Sequence, residues 1–336
     1  MLTLLVDYRD YFYSSYVKKY AGMDLQKLEM YFKSYEIDLQ IKHFDEIDFR
    51  NEDYSGQFVL YQSAEDRHLF YKDYIEDILL GLVIQGAVLI PDFYKFRAHH
   101  NKCFQEIMRD LSRLDKIKNI KSSSFGTYED FEKNEFNIPN NIVVKPSEGA
   151  GSNDVASFSQ AAEARDHIRD ISASAGRLGY AKYLIKKYLL KNTNKQSFYR
   201  KKFIVQNLVS PLENDYKVLI YGQKYYVLYR KNRKHDFRAS GSGMFQHRKD
   251  IPAGLLDYSA EVFSSFDCPY ISLDIGYNGS EFYLIEFQFV SFGNLTLEKS
   301  NFFFLRKDNE WQIVDSPSIL EKELAQSVSE YIKLKE

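Results

Sequence analysis

Between residues 270 and 289 the chain reads YISLDIGYNGSEFYLIEFQF, two apolar strand-like runs around an Asn278-Gly279 turn, each interrupted by a carboxylate. Burial makes such groups costly unless something pairs with them. Asp274 lies in the first run, Glu286 in the second, and Gln288 follows Glu286 by two residues. Residues i and i+2 share a face of a strand, so Glu286 and Gln288 point the same way. The turn decides where Asp274 points. A two-residue loop sets it opposite Tyr283 and away from Glu286; a three-residue loop over 278–280 with a glycine bulge puts all three on one face. Three hard oxygen donors on adjacent strands, with room for phosphate and water, match the demands of Mg²⁺. The competing reading is a pair of strand-end acids that reach solvent or pair with Lys and Arg.

The 336 residues are 44% hydrophobic, ample for a large core and for more than one packing unit. A net charge of -2 gives no electrostatic case for nucleic acid or an anionic membrane as partner. The 27 Tyr and 26 Phe read as core and strand filler rather than as a base-stacking platform. Cys103 and Cys268 are far apart with no CxxC spacing, which suits free thiols in a reducing compartment. No apolar run reaches membrane-spanning length, and Asp7, Arg9 and Asp10 are unlike a signal peptide. The expectation is a cytoplasmic protein.

From Leu2 to about Pro91, short apolar runs (LTLLVD, QFVLYQS, AVLIPD) alternate with helical stretches, which argues an α/β layer. Asp24 caps a helix with Leu25, Leu28, Phe32 and Tyr35 on its apolar side, and a second helix carries Tyr71, Tyr74, Ile75, Ile78, Leu79 and Leu82. No GxGxxG or GKS/GKT follows these strands, so this region reads as a wall or substrate platform. The next helix starts near Asn101 with Phe104, Ile107, Met108 and Leu111 as its apolar face. Lys102 stands at its start, where the helix dipole disfavours a cation; it holds an anion or is a solvated surface lysine. His99 and His100, adjacent on a helix, would point apart, and no zinc spacing occurs. Residues 115–138 are polar and Ser-rich, the composition of a loop or linker.

In NIVVKPSEGAGSNDVASF, residues 141–158, an apolar strand ends in Lys145-Pro146 and a loop with Gly149 and Gly151 leads to another short strand. Such a loop can converge N–H groups on an anion, or can be a ligand-free hairpin. Ser159 is expected to cap the helix that follows. KYLIKKYL and FIVQNLV read as strands around an insert with Lys191, Lys195, Arg200, Lys201 and Lys202, a solvated tip or a receiver of an acidic substrate. DYKVLIYG and QKYYVLYRKN are strands joined at Gly222. HDFRASGSGMFQHR then offers Arg238, suited to bidentate contact with oxyanions, in a glycine-bearing loop. The tail reads as structural, with a helix starting at Ser316-Pro317 and burying Leu320, Leu324, Val328 and Tyr331.

Taken in order, Lys102, VVKPSEGAGS, DYKVLIYG, HDFRASGSG and LDI with LIEFQF give a chain that resembles the ATP-grasp superfamily over roughly residues 95–295. The nearest branches by pattern are glutathione synthetase, D-alanine–D-alanine ligase and ribosomal-protein glutamate ligase. The resemblance implies an α/β (α+β) architecture: an N-terminal α/β pre-ATP-grasp domain (1–96), a connecting helix and linker (97–138), a small lobe (139–205) and a large lobe with a C-terminal helix (206–336), the lobes clasping ATP. Carried over by position, Lys102 and Lys145 match the two ATP-phosphate lysines, and Gly149, Gly151 and Ser152 the phosphate-covering loop. Gln206, Asn207 and Leu208 match the hinge that reads adenine through backbone groups, at a point where relatives usually have a glutamate. Asp215 matches an acid on the ribose, Arg238 the arginine at the γ-phosphate and acyl-phosphate, and Asp274, Glu286 and Gln288 the metal ligands, the last usually asparagine. The implied activity is ATP- and Mg²⁺-dependent (or Mn²⁺-dependent) ligation of a small-molecule or peptide carboxylate to an amine, with a homodimer admissible. A small-molecule kinase and a non-catalytic nucleotide-binding protein are the rival readings.

Overall fold

The computed structural model describes residues 1–12, 22–149, 154–189, 196–232 and 243–336. They form two units, residues 1–99 with 212–336, and residues 100–211.

The first segment of the first unit contains β1 (Leu2–Val6), α1 (Leu25–Ser34), β2 (Leu39–His43), β3 (Phe58–Tyr61), α2 (Phe70–Ile84), β4 (Val88–Ile90) and α3 (Phe93–Ala98). Its strands form a parallel sheet in the order β2-β1-β3-β4. Asp24 accepts from the Gln26 and Lys27 N–H groups and starts α1, which buries Leu28 and Phe32. In α2 the buried apolar residues are Ile75, Leu79 and Leu82, while Tyr74 is exposed. Sequence LQIKH lacks an apolar run because β2 is an edge strand with no fully buried residue.

The second unit contains α4 (Lys102–Leu111), β5 (Ser122–Phe125), α5 (Tyr128–Asn134), β6 (Ile142–Pro146), β7 (Ala156–Phe158), α6 (Arg165–Ser172), α7 (Arg177–Leu189) and β8 (Phe203–Asn207). An antiparallel sheet, β5-β8-β6-β7, covers a core that includes Phe125, Phe131, Ile142, Val144, Ile168, Phe203 and Val205. Four expectations are corrected in this unit. Residues 115–138 are not a plain linker: SSSF is β5, held by its ladder to β8 with only Phe125 buried. KYLIKKYL is helical, because Tyr180 and Tyr183, one turn apart, both pack on Phe198, with ring centroids at 5.0 and 5.5 Å. The inward face of α4 is polar: Ile107 and Leu111 are exposed, while Cys103, Gln105, Glu106 and Arg109 are buried. An internal network makes that tolerable, since Arg109 Nε donates to Glu106 at 3.0 Å, Arg109 Nη1 to the Ile117 carbonyl at 2.9 Å, and Ser122 Oγ to Glu106 at 2.8 Å. Ala164, not Ser159, occupies the cap position of α6.

Chain 212–336 returns to the first unit as β9 (Asn214–Tyr221), β10 (Lys224–Lys231), β11 (Phe245–Gln246), α8 (Leu255–Ser265), β12 (Tyr270–Tyr277), β13 (Phe282–Gln288), α9 (Leu295–Glu298), β14 (Phe303–Lys307), β15 (Glu310–Val314) and α10 (Leu320–Lys335). The antiparallel order is β13-β12-β9-β10-β14-β15, with β11 paired to β10. β9 and β10 meet at a two-residue turn, Tyr221 facing Lys224, and Gly222 supplies the positive φ of 54° that it needs. One core cluster joins Leu2 and Leu4 of β1, Phe32 of α1, Leu219 of β9, Tyr270 of β12, and Leu324 and Val328 of α10. Helix α10 starts at Leu320, after Ser316-Pro317, and buries Ile332 more fully than Tyr331. Cys103 and Cys268 are buried free thiols. Among the described residues no helix is long and apolar enough to cross a membrane.

Candidate functional site

The candidate residues fall into two clusters, one in each unit. In the second unit, Asn101 caps α4 by accepting from the Phe104 N–H at 3.3 Å, and Lys102 is the first helical residue. Its backbone N–H donates to the Ser147 carbonyl at 2.9 Å and its Nζ to the Gly149 carbonyl at 2.7 Å. A helix start and the glycine loop are thereby tied together, although Lys102 and Gly149 are 47 residues apart. Gly149 has a φ of 103°, open only to glycine at low cost. Lys145, the next-to-last residue of β6, stands beside Ile204 of β8, and alternation with core residues Ile142 and Val144 puts it on the sheet face away from that core.

At the other end of β8, Gln206 is buried, and its amide nitrogen has no hydrogen bond among the described residues. The Asn207 N–H donates to the Lys121 carbonyl at 3.0 Å and the Leu208 N–H to the Asn141 carbonyl at 2.7 Å. Both N–H groups are therefore engaged within the unit. Gly151, Ser152 and Arg238, with Lys191, Lys195 and Gly241, lie outside the described residues.

In the first unit the strand pair β12–β13 aligns the carboxylates by a route that the turn did not foretell. Tyr277 faces Phe282, so the loop has four residues, 278–281. Asn278 Oδ1 holds it by accepting from the N–H groups of Ser280 at 3.0 Å and Glu281 at 2.8 Å. A four-residue loop alone would put Asp274 opposite Ile285. The register shift after Asp274 makes Ile285 an extra residue, so Asp274 faces Glu286 and Ser272 faces Gln288. The parity is restored inside the strand, not in the turn.

Neighbouring strands add residues to this face. Lys217 of β9 stands opposite Asp274, and Asp215 opposite Arg230 of β10. Arg230 grips both Asp215 oxygens, at 2.6 and 2.7 Å, and its Nη2 reaches Asp274 Oδ2 at 2.8 Å. Lys217 Nζ donates to Ser272 Oγ at 2.8 Å and lies 3.5 Å from Asp274 Oδ1. Burial opposes charge on Asp274, but Arg230 and Lys217 outweigh it and hold the carboxyl below its ordinary range. Burial pushes Asp215 up to about 6 against the pull of Arg230. Burial also opposes charge on Arg230, and the two aspartates reverse it and raise its pKa. The ribose expectation for Asp215 meets a carboxylate whose two oxygens are already engaged.

Asp274, Glu286 and Gln288 thus stand on one face as carboxylate and amide oxygens, a donor set that fits a hard divalent cation. Gln288 Nε2 donates to Glu286 Oε1 at 3.3 Å, which turns the amide nitrogen toward the acid. Lys217, Ser272 and Arg230 were not singled out from the sequence. The signal was present: the Gly222 turn sets Asp215 opposite Arg230 by counting outward from it.

The fold is that of the ATP-grasp proteins. D-cycloserine synthetase DcsG superposes with a TM-score of 0.55 at 14% identity, over 98% of both chains. A RimK domain ATP-grasp protein from Sphaerobacter thermophilus gives 0.51 at 9% identity, again over 98% of both. The ATP-grasp ligase PsnB, complexed with precursor peptide PsnA2 and AMPPNP, gives 0.51 at 11% identity, over 98% of this chain and 96% of that one. No protein-family model matches the sequence, and no curated protein sequence does.

Proposed function

We propose that the protein is an ATP-dependent carboxylate–amine ligase, forming an amide or peptide bond through an acyl-phosphate and releasing ADP and phosphate. The observation that carries this reading is the alignment of Asp274, Glu286 and Gln288 on one face of a sheet, within a fold shared with a synthetase and a peptide-bound ligase. A carboxylate is too poor an electrophile for an amine at neutral pH, and phosphorylation supplies a leaving group. No protein nucleophile is needed. Lys102, Lys145 and the loop at Gly149, Gly151 and Ser152 neutralise and cradle the phosphates, and Arg238 steadies the group in transfer. Gln206 and the carbonyls of Asn207 and Leu208 read the base. Asp215 anchors Arg230, which with Lys217 keeps Asp274 ionised and in place. Mg²⁺ or Mn²⁺, held by Asp274, Glu286 and Gln288, would supply charge neutralisation during phosphoryl transfer. Two buried free thiols accord with a cytoplasmic setting.

The test is ADP release from Mg-ATP with amino acids and small carboxylates, singly and in pairs, beside an Asp274→Asn, Glu286→Gln double variant. Release that needs both a carboxylate and an amine, and is lost in the variant, is the expected result. A phosphorylated product formed without any amine would replace the ligase by a kinase. ATP binding with no release in any pair would favour a binding protein.

A further inference from the structure

His99 and His100, expected side by side on a helix and pointing apart, lie instead between helices: α3 ends at Ala98 and α4 starts at Lys102. His99 leaves α3 in an extended conformation, its N–H on the Phe96 carbonyl at 3.0 Å, and His100 turns back with a φ of 50°. A left-handed step at a residue other than glycine is costly and collects at binding sites. Here it lets two consecutive imidazoles serve one place, and a third donor comes from the loop after β3. One ligand atom each from Glu65, His99 and His100 lies within 4.8 Å of the other two. His100 needs no further element to place it, because a peptide bond joins it to His99 and its own backbone sets its direction. Glu65 is placed by its neighbour. Asp66 accepts from the Tyr71 N–H at 3.2 Å, and its carbonyl accepts from the Leu69 N–H at 2.9 Å, which fixes the loop on the start of α2.

The distances suit an ion better than a hydrogen bond. His99 Nε2 lies 3.5 Å from Glu65 Oε1, beyond the usual N–H···O range of about 2.7–3.2 Å. Two ligands held at about 2.0–2.1 Å by a tetrahedral Zn²⁺ stand about 3.3–3.4 Å apart. On its other side the His99 ring meets Ser63, Nδ1 to Oγ at 2.8 Å, and both residues are buried. With the ring proton on Nδ1 and shared with Ser63, Nε2 presents a lone pair to a carboxylate. The two repel unless a cation or a second ring proton stands between them. Metal-ligating histidines are oriented in this way, through a hydrogen bond at the other ring nitrogen.

We infer that Glu65, His99 and His100 bind one borderline divalent cation, Zn²⁺, with water completing its shell, and that none of the Asp274, Glu286 and Gln288 oxygens takes part. Two imidazole nitrogens and a carboxylate suit Zn²⁺, whereas three oxygen donors suit Mg²⁺. The Glu65 side chain is 20% exposed and opens the site to solvent, while that of His99 is 1% exposed and walls it. The ion ties the loop after β3 to the end of α3. Ser63 is a positioning residue, acting through the His99 ring. The inference does not rest on the ligase reading, and its test needs neither ATP nor turnover.

The measurement is titration of the full-length, untagged protein with Co²⁺, followed by visible absorption, and with Zn²⁺, followed by loss of the Co²⁺ band and by calorimetry, all in excess Mg²⁺. One equivalent of Co²⁺ per chain should give the intense band of a four- or five-coordinate ion, and one of Zn²⁺ should abolish it. Glu65→Gln and His100→Gln change partly exposed side chains and should leave the metal-free melting temperature as it is, while each weakens Zn²⁺ by on the order of tenfold or more. Ser63→Ala should weaken Zn²⁺ about tenfold and shift the Co²⁺ band, and Ser63→Thr should restore both. The Asp274→Asn, Glu286→Gln double variant should bind Zn²⁺ as the parent does. No Co²⁺ band would overturn the assignment and make His99 an imidazolium between Ser63 and Glu65. Binding that survives both Glu65→Gln and His100→Gln, or that is lost with Asp274 and Glu286, would overturn it as well.

Discussion

The charged face of the β9–β13 sheet and the lysines of the second unit solve the same electrostatic problem in different ways. On the sheet, Asp215, Arg230, Asp274 and Lys217 hold one another through side-chain ion pairs at 2.6–3.5 Å. In the second unit, Lys102 is held by backbone, with a carbonyl on its ammonium and another on its N–H. The difference predicts where removing a side chain costs stability. Removing one member of a buried ionic network leaves its partners without a counter-charge, which costs several kcal/mol, whereas a lysine leaning on a loop carbonyl is almost free to remove.

The comparison can be broken most decisively at the oxygen donors. Asp274→Asn with Glu286→Gln is expected to lower ADP release by on the order of a hundredfold or more, and a variant with near-normal release would detach the sheet from the chemistry. Arg230→Ala should reduce the unfolding free energy by about 3–5 kcal/mol in urea titrations, because buried Asp215 and partly buried Asp274 lose their shared guanidinium. A loss under about 1 kcal/mol would mean that the network is not the frame of this face. Lys102→Ala and Lys145→Ala sharpen the contrast: stability should stay within about 1 kcal/mol of the parent while the Kd for ATP, read by calorimetry, rises about tenfold.

The smallest effect concerns acid. Burial holds the His247 imidazole below its ordinary 6.5, against the pull of the Thr296 carbonyl. A folded pKa below the unfolded one means that protonation favours unfolding. Its contribution is complete above about pH 6.5 and is lost as pH falls through the folded value. His247→Phe should flatten that part of the stability profile, measured by urea midpoints from pH 7 to 5. An unchanged slope would assign the acid sensitivity to the aspartate network.

Much of this arrangement was legible because it depends on period and turn chemistry. The strands at LTLLVD, FIVQN and DYKVLIY and the Asp24 cap follow from local residues. What escaped depended on partners distant in sequence. The α4 face was misread because a helix that encloses its own Glu106–Arg109 pair and borrows Ser122 looks amphipathic the wrong way round. α7 was misread because Tyr180 and Tyr183 find Phe198 only after the chain has turned back. Parity at Asp274 rested on one extra residue, Ile285, which no spacing rule announces. Arg230 escaped as one more basic residue at a strand end, until its register showed two aspartates waiting for it.

The first unit is discontinuous, with residues 100–211 inserted between its halves, and one core cluster draws on both β1 and α10. Synthesis from the N-terminus therefore presents the ribosome with an asymmetry. The inserted segment is complete as soon as its last strand emerges, while Leu2 and Leu4 must wait for Leu324 and Val328, more than three hundred residues later. During that interval the earliest part of the chain carries unburied apolar strands, open to chaperones and to pairing with the wrong edge. Truncation near the C-terminus would consequently be felt at the N-terminus, with the inserted unit the last to notice.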